Sequence, residues 1–364
     1  MTTRTCSFIL SISKPLPISL SLYTTIQKKH SKQLQFALKA LLLALGFFFT
    51  SFKSPAKKND SANHAISIFE KQPKENILDL FLRDDSSSCI IPFNRTGNLI
   101  LIKATADSME GNFILDTGSP YLVLNMVYFR NYPATSSSDE YQTSVSGTSE
   151  TVMKTTVRNF SFGSLHYYWE KADLVDLGHI ENSKGVKILG LIGLSLLQQC
   201  EIIIDYTKSL IYIHRIGKKE TKTYKSEQLL DKSSYSTIPI SIVNEKIIAK
   251  TEMEGKKLQF ILDSGSETNI LDSRLSEKIF DHVDVTGRLN IRGTGNTMVE
   301  ALQANLKGMK MGTEDMGSIP VLITSLEKTC FSPVNCINGV LAFEFLPLKK
   351  IGFNFVTRKM YLWK

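Results

Sequence analysis

The chain has 364 residues, of which 42% are hydrophobic, and a formal net charge of +8, enough to bury one large core or two medium ones. A positive balance raises nucleic acid or an anionic membrane as partners, but residues 1–52 hold Arg4, Lys14, Lys28, Lys29, Lys32 and Lys39 without one acid, and the remainder is close to neutral. That placement speaks against nucleic acid.

In chain order, the basic leader runs into Ala40 to Phe49, ten residues without a polar side chain, and the apolar character extends to Phe52 before Lys53. A positive region followed by a short apolar one is the layout of a secretory signal, and its length is marginal for a spanning helix. Residues 1–52 therefore read as a signal peptide or a signal anchor, with an incidental apolar segment as the alternative. Ser54-Pro55-Ala56 is a weak cleavage candidate. Residues 53–86 form a polar spacer. The body is expected outside the cytoplasm, with membrane contact through residues 40–52.

Beyond the spacer the chain repeats itself. Ile91-Pro92-Phe93 and Ile238-Pro239-Ile240 each stand 24 residues, counted from the proline, before an aspartate closing an apolar run, Phe113-Ile114-Leu115-Asp116 and Phe260-Ile261-Leu262-Asp263, at an offset of 147. Val145-Ser146-Gly147-Thr148 then matches Ile291-Arg292-Gly293-Thr294 at offset 146, and Gly190-Leu191-Ile192-Gly193 matches Gly339-Val340-Leu341-Ala342 at offset 149. Asp205 falls on Asn354 and Tyr212 on Tyr361. The landmarks define a first lobe over 87–216 and a second over 236–364, joined by a polar linker over 217–235. Most segments are short, rich in Val, Ile, Phe, Tyr and Thr, and separated by turn residues, which predicts a mainly β architecture. Leu194 to Gln199 and Asn269 to Phe280 have helical character.

Asp116-Thr117-Gly118-Ser119 and Asp263-Ser264-Gly265-Ser266 each follow a strand that reads as buried. A carboxylate there is costly unless hydrogen-bonded or paired. A glycine two residues on permits a tight turn whose amides point back at the acid. Ser119 and Ser266 are expected to add hydroxyl donors, and Thr117 and Ser264 to tie the two turns together. If the repeats pack about a pseudo-two-fold axis, the carboxylates meet, and two like charges about 3 Å apart share one proton. One member then takes a proton from water while the other hydrogen-bonds a substrate carbonyl.

On these residues the chain resembles the retropepsin-like and pepsin-like aspartic proteases, particularly their bacterial branch. The resemblance spans both repeats and rests on the DTGS and DSGS motifs with the downstream Gly190–Gly193 and Gly339–Ala342 blocks. It implies a bilobal pepsin-like β fold of two barrel-like lobes, a catalytic dyad at Asp116 and Asp263, and a late glycine-rich strand packed under each aspartate turn. It implies flap hairpins closing over an extended peptide, for which Ser146, Gly147, Arg292 and Gly293 are the candidates. Ala342 in place of the last glycine, Asn354 opposite Asp205 and Ser264 in place of threonine depart from full symmetry.

Other chemistries fare worse. The six histidines contain no HExxH, and His166, His179, His214 and His282 read as strand or surface residues. Arg292-Gly293-Thr294-Gly295 lacks the remaining parts of a nucleotide loop, and Ser195 lacks the closing glycine of a nucleophile elbow. The cysteines, Cys6, Cys89, Cys200, Cys330 and Cys336, include no CxxC pair; Cys330 and Cys336 stand close enough to bridge, or to remain two thiols. The expectation is a monomeric aspartic endopeptidase acting on polypeptides without metal or cofactor. The competing reading is a membrane-tethered peptide-binding protein that keeps the protease fold and no longer cuts.

Overall fold

The computed structural model describes residues 87–143, 149–292, 298–327, 336–342 and 350–364, excepting the side chains of 135–143, 149–152, 291–292 and 298–299. The apolar leader, the candidate cleavage site and the polar spacer lie outside the described residues. Among the described residues no helix is long and apolar enough to cross a membrane. The fold is mainly β and bilobal, and the described residues form an 8-stranded sheet in the first lobe and a 15-stranded sheet that runs through the second.

Two strands deliver the paired aspartates, and their sequences show why. Met109–Leu115 and Lys256–Asp263 begin with exposed or half-buried residues and run into Phe-Ile-Leu, whose members are all buried, the second strand including the aspartate that follows. Each strand thus enters the core at its carboxyl end and carries the following residue to core depth. There each meets a second strand running parallel to it, Phe113 opposite Gly190 and Phe260 opposite Gly339. Those second strands, Gly190–Ile192 and Gly339–Ala342, pair antiparallel with Leu122–Asn125 and Ile270–Asp272 on their other side. A Cβ at Gly190 would fall 2.1 Å from the Val123 carbonyl oxygen, and one at Gly339 2.3 Å from that of Ile270. Only glycine permits so close a backbone approach.

The lobes are joined by a run of six strands inside the larger sheet, in the order Ser88–Pro92, Leu210–Arg215, Cys200–Asp205, Lys350–Asn354, Lys359–Trp363, Tyr235–Val243. The order is a palindrome in lobe terms, centred where Ile203 faces Gly352. The Asp205 and Asn354 difference leaves the local turn unchanged. Lys208 N–H donates to Asp205 Oδ1 at 3.0 Å, and Thr357 N–H donates to Asn354 Oδ1 at 2.8 Å. Asn354 Nδ2 also donates to Glu201 Oε2 at 2.9 Å, a bond an aspartate there could not make.

The helical reading of Asn269 to Phe280 is corrected. Ile270–Asp272 is a strand, and only Glu277–Phe280 is helical. The burial of Ile270 and Leu271 between two neighbouring strands outweighs local preference. In the first lobe Leu194–Leu197 forms a single 3₁₀ segment. Of the linker residues, Tyr224 stacks on His214 with ring centroids 3.9 Å apart, and Tyr235 opens the Tyr235–Val243 strand.

Ile351, fully buried, lies opposite Ile204 at the centre of the junction. Ile351→Ala is expected to destabilise the protein by about 2–5 kcal/mol through lost burial and the cavity left behind. Denaturant unfolding should show a lower midpoint with an unchanged slope.

Candidate active site

Asp116 and Asp263 are fully buried. Each is held by its own turn in the same way. Gly118 N–H and Ser119 N–H donate to Asp116 Oδ1 at 2.8 and 3.0 Å, and Gly265 N–H and Ser266 N–H donate to Asp263 Oδ1 at 2.8 and 3.2 Å. The serine hydroxyls play a different part from the one expected. Ser119 Oγ donates to the Tyr121 carbonyl and Ser266 Oγ to the Thr268 carbonyl, so they close the turns, while the backbone supplies the donors.

The residues between aspartate and glycine cross from lobe to lobe. Thr117 Oγ1 donates to the Leu262 carbonyl at 3.0 Å and accepts from Ser264 N–H at 3.0 Å. Ser264 Oγ donates to the Leu115 carbonyl at 2.7 Å and accepts from Thr117 N–H at 2.9 Å. Serine in place of threonine therefore costs no bond. This reciprocal set brings the turns into contact. A Cβ on Gly118 would come within 2.3 Å of the Asp263 carboxyl group, and one on Gly265 within 2.3 Å of that of Asp116. Each carboxyl group thus packs against the opposite glycine.

Burial raises both carboxyls above their ordinary value of 3.8. At Asp116 the positive charge of Lys246 and the donated hydrogen bonds oppose that rise. At Asp263 the negative charge of Asp116 adds to it, and the group stands well above the ordinary range. The outer oxygens, Asp116 Oδ2 and Asp263 Oδ2, are buried with no partner outside the pair among the described residues, and a side-chain hydrogen bond between the two carboxyls lowers Asp116 and raises Asp263. An environment that separates the protonation of two adjacent acids is the one that lets one act as base and the other as acid.

Late strands lie beneath both turns. Asp116 N–H donates to the Ile192 carbonyl at 3.0 Å, and Leu194 N–H to the Ser119 carbonyl at 2.8 Å. In the second lobe Ala342 N–H donates to Asn269 Oδ1 at 2.9 Å. A Cβ on Gly193 would meet the Tyr121 carbonyl oxygen at 2.0 Å, whereas Ala342 is accommodated, fully buried.

Comparisons with known proteins add little to this geometry. No protein-family model matches the chain, and no curated protein matches it by sequence. Among solved structures, the chain is similar to the aspartic proteinase from Irpex lacteus at a TM-score of 0.43 and 11% identity, over 76% of this chain and 97% of that one.

Of the flap candidates, Ser146, Gly147 and Gly293 lie outside the described residues, as does the side chain of Arg292. Among the described residues no cluster of His, Cys, Asp and Glu suited to a metal ion occurs. Cys89 and Cys200 are free thiols. Burial pushes the Cys200 thiol up to about 12, which makes it a poor nucleophile. Cys336 is disulfide-bonded, and Cys330 lies outside the described residues. His179 belongs to the helix Gly178–Lys184 rather than to a strand. His214 is a strand residue with company that its sequence did not announce. Ser88 Oγ lies 2.6 Å from its Nδ1 and Glu220 Oε1 3.3 Å from its Nε2, beside a cavity of about 540 Å³ also lined by Glu201 and Tyr224.

The residue sequence reasoning missed is Lys246. It is 1% exposed, and its Nζ donates to the Gly118 carbonyl. At the offset of 147 that relates the two aspartates its counterpart is Leu99, also buried. Comparing the repeats for charge differences at core positions is the signal that would have found it.

Two outcomes are expected. Thr117→Val removes a donor to Leu262 and leaves the Ser264 N–H unsatisfied, so chemical unfolding should register a loss of about 1–3 kcal/mol, with further loss for Ser264→Ala. A carboxyl whose folded pKa lies above its unfolded value stabilises the fold when protonated, fully below about 3.8, and loses that contribution as pH rises through the folded pKa. Asp263→Asn, which stays neutral, should therefore melt close to wild type in acid and increasingly above it as pH rises. A gap that shrinks with rising pH would contradict the raised pKa.

Proposed function

We propose that the chain is an aspartic-type endopeptidase in which Asp116 and Asp263 together hold one proton and activate a water molecule against a peptide carbonyl. The observation that carries the reading is the pairing of two buried carboxyl groups, hydrogen-bonded to one another and each fixed through its inner oxygen by two backbone N–H groups. In this reading Asp116, the less raised of the two, takes a proton from water, and protonated Asp263 donates a hydrogen bond to the scissile carbonyl. Water oxygen adds to the carbonyl carbon. The C–N bond breaks as a proton passes from the pair to the leaving amine. The carboxyls act by proton transfer alone, so the step needs no covalent intermediate.

The proposal extends to a polypeptide substrate, a monomeric enzyme, no nucleic-acid partner, and an extracytoplasmic location reached through residues 1–52, with residues 40–52 touching the membrane if they are retained. A second reading, a receptor that binds peptide without turnover, draws on the complete burial of both carboxyl groups, which a substrate must relieve to reach them.

Asp116→Asn and Asp263→Asn should each lower peptide hydrolysis by at least about 10²–10⁴-fold, the usual weight of positioned acid–base catalysis. Binding of a peptide mimic carrying a hydroxyl at the scissile position should largely survive. Wild-type activity should be greatest between the two macroscopic pKa values of the pair. A wild type that binds the mimic and cleaves no peptide at any pH would replace the enzyme with the receptor.

A further inference from the structure

The pair is built from two repeats, yet one cation breaks its symmetry. The strands Leu99–Ala106 and Lys246–Met253 start at equivalent positions, and the buried first residue is leucine in one and lysine in the other. Lys246 leaves a turn in which Asn244 and Glu245 both take positive φ, 46° and 58°, a conformation uncommon for residues other than glycine. The turn sets Glu245 and Lys246 against the opposite lobe. Glu245 Oε1 accepts from Tyr121 OH at 3.0 Å, and Lys246 Nζ donates to the Gly118 carbonyl. That carbonyl belongs to the same peptide unit as Ser119 N–H, which donates to Asp116 Oδ1. The ammonium therefore polarises the donor that holds the first carboxylate.

We propose that Lys246 is a positioning residue of the pair: reaching across from the second lobe, it fixes the Asp116 turn and makes the two carboxyl groups inequivalent. Catalytic consequence rests on the endopeptidase reading; the inequivalence itself does not. Among the described residues, the titratable groups acting on the pair are Lys246 and, for each aspartate, the other one. The turns 118–119 and 265–266 face it with backbone N–H groups. Glu245 is engaged by Tyr121, and Glu267, next along from Ser266, pairs with Lys184. Charge on Lys246 opposes protonation of both aspartates, and it is the largest influence lowering Asp116.

The test compares wild type, Lys246→Met and Lys246→Arg. Met keeps the length without the charge; Arg keeps the charge. In Lys246→Met both limbs of the pH profile of kcat/KM should move to higher pH by about 1–3 units, the usual effect of losing one adjacent opposite charge, and in Lys246→Arg they should stay close to wild type. Infrared titration of the protonated carboxyl band, which needs no turnover, should show the band persisting to higher pH in Lys246→Met. Unmoved limbs and an unmoved band, with only a lowered melting temperature, would make Lys246 a structural prop and overturn the proposal. If wild type cleaves nothing, the endopeptidase reading falls, while the infrared titration still decides the role of Lys246. Should Lys246→Met fail to fold, infrared titration of Asp116→Asn and Asp263→Asn decides: Asp116 alone should lose its proton at lower pH than Asp263 alone, and equal titration would overturn the inequivalence.

Discussion

Everything about the candidate site depends on one interaction, the reciprocal hydrogen bonding of Thr117 and Ser264. Two carboxyl groups would not stay adjacent in a dry core by themselves. Burial and mutual repulsion both act against their ionisation, and separation of the lobes would relieve both. Each of the two side chains gives one bond to the opposite strand and takes one from the opposite turn. The four bonds make the lobes' separation cost several buried partners at once. The glycines next in sequence then allow the carboxyl groups to sit where any side chain would intrude.

Much of this was legible in the sequence because it is local and occurs twice. An apolar run ending in aspartate, a glycine two residues later and a hydroxyl residue between them define a strand, a turn and its donors with no knowledge of distant residues. The crossing role of Thr117 and Ser264 followed once the repeats were taken to face each other. What failed was finer chemistry: the serine hydroxyls, expected on the carboxylates, serve the Tyr121 and Thr268 carbonyls because the backbone amides already occupy the inner oxygens. Asn269 to Phe280 misled because a three-residue buried strand is too short to show its period.

Lys246 was illegible for another reason. In Val243-Asn244-Glu245-Lys246 it looks like the charged edge of a hairpin, where lysine ordinarily meets water. Only the packing of one lobe's turn on the other removes that water. On the proposed reading the asymmetry has a use: two equal carboxyls in equal surroundings would have no fixed division of labour, and Lys246, standing where the first lobe has Leu99, would supply one.

The palindromic junction has a consequence for synthesis. The edge of Cys200–Asp205 is covered by Lys350–Asn354, with Ile203 opposite Gly352, 149 positions further along the chain. At about 5–20 residues per second, a ribosome needs on the order of ten seconds to make the covering strand. Through that interval the strand Cys-Glu-Ile-Ile-Ile-Asp waits with one row of amides and carbonyls unpaired and three consecutive isoleucines beside it. If the first half pairs before the second is made, that edge is open to strands of neighbouring chains for as long as its own partner is missing.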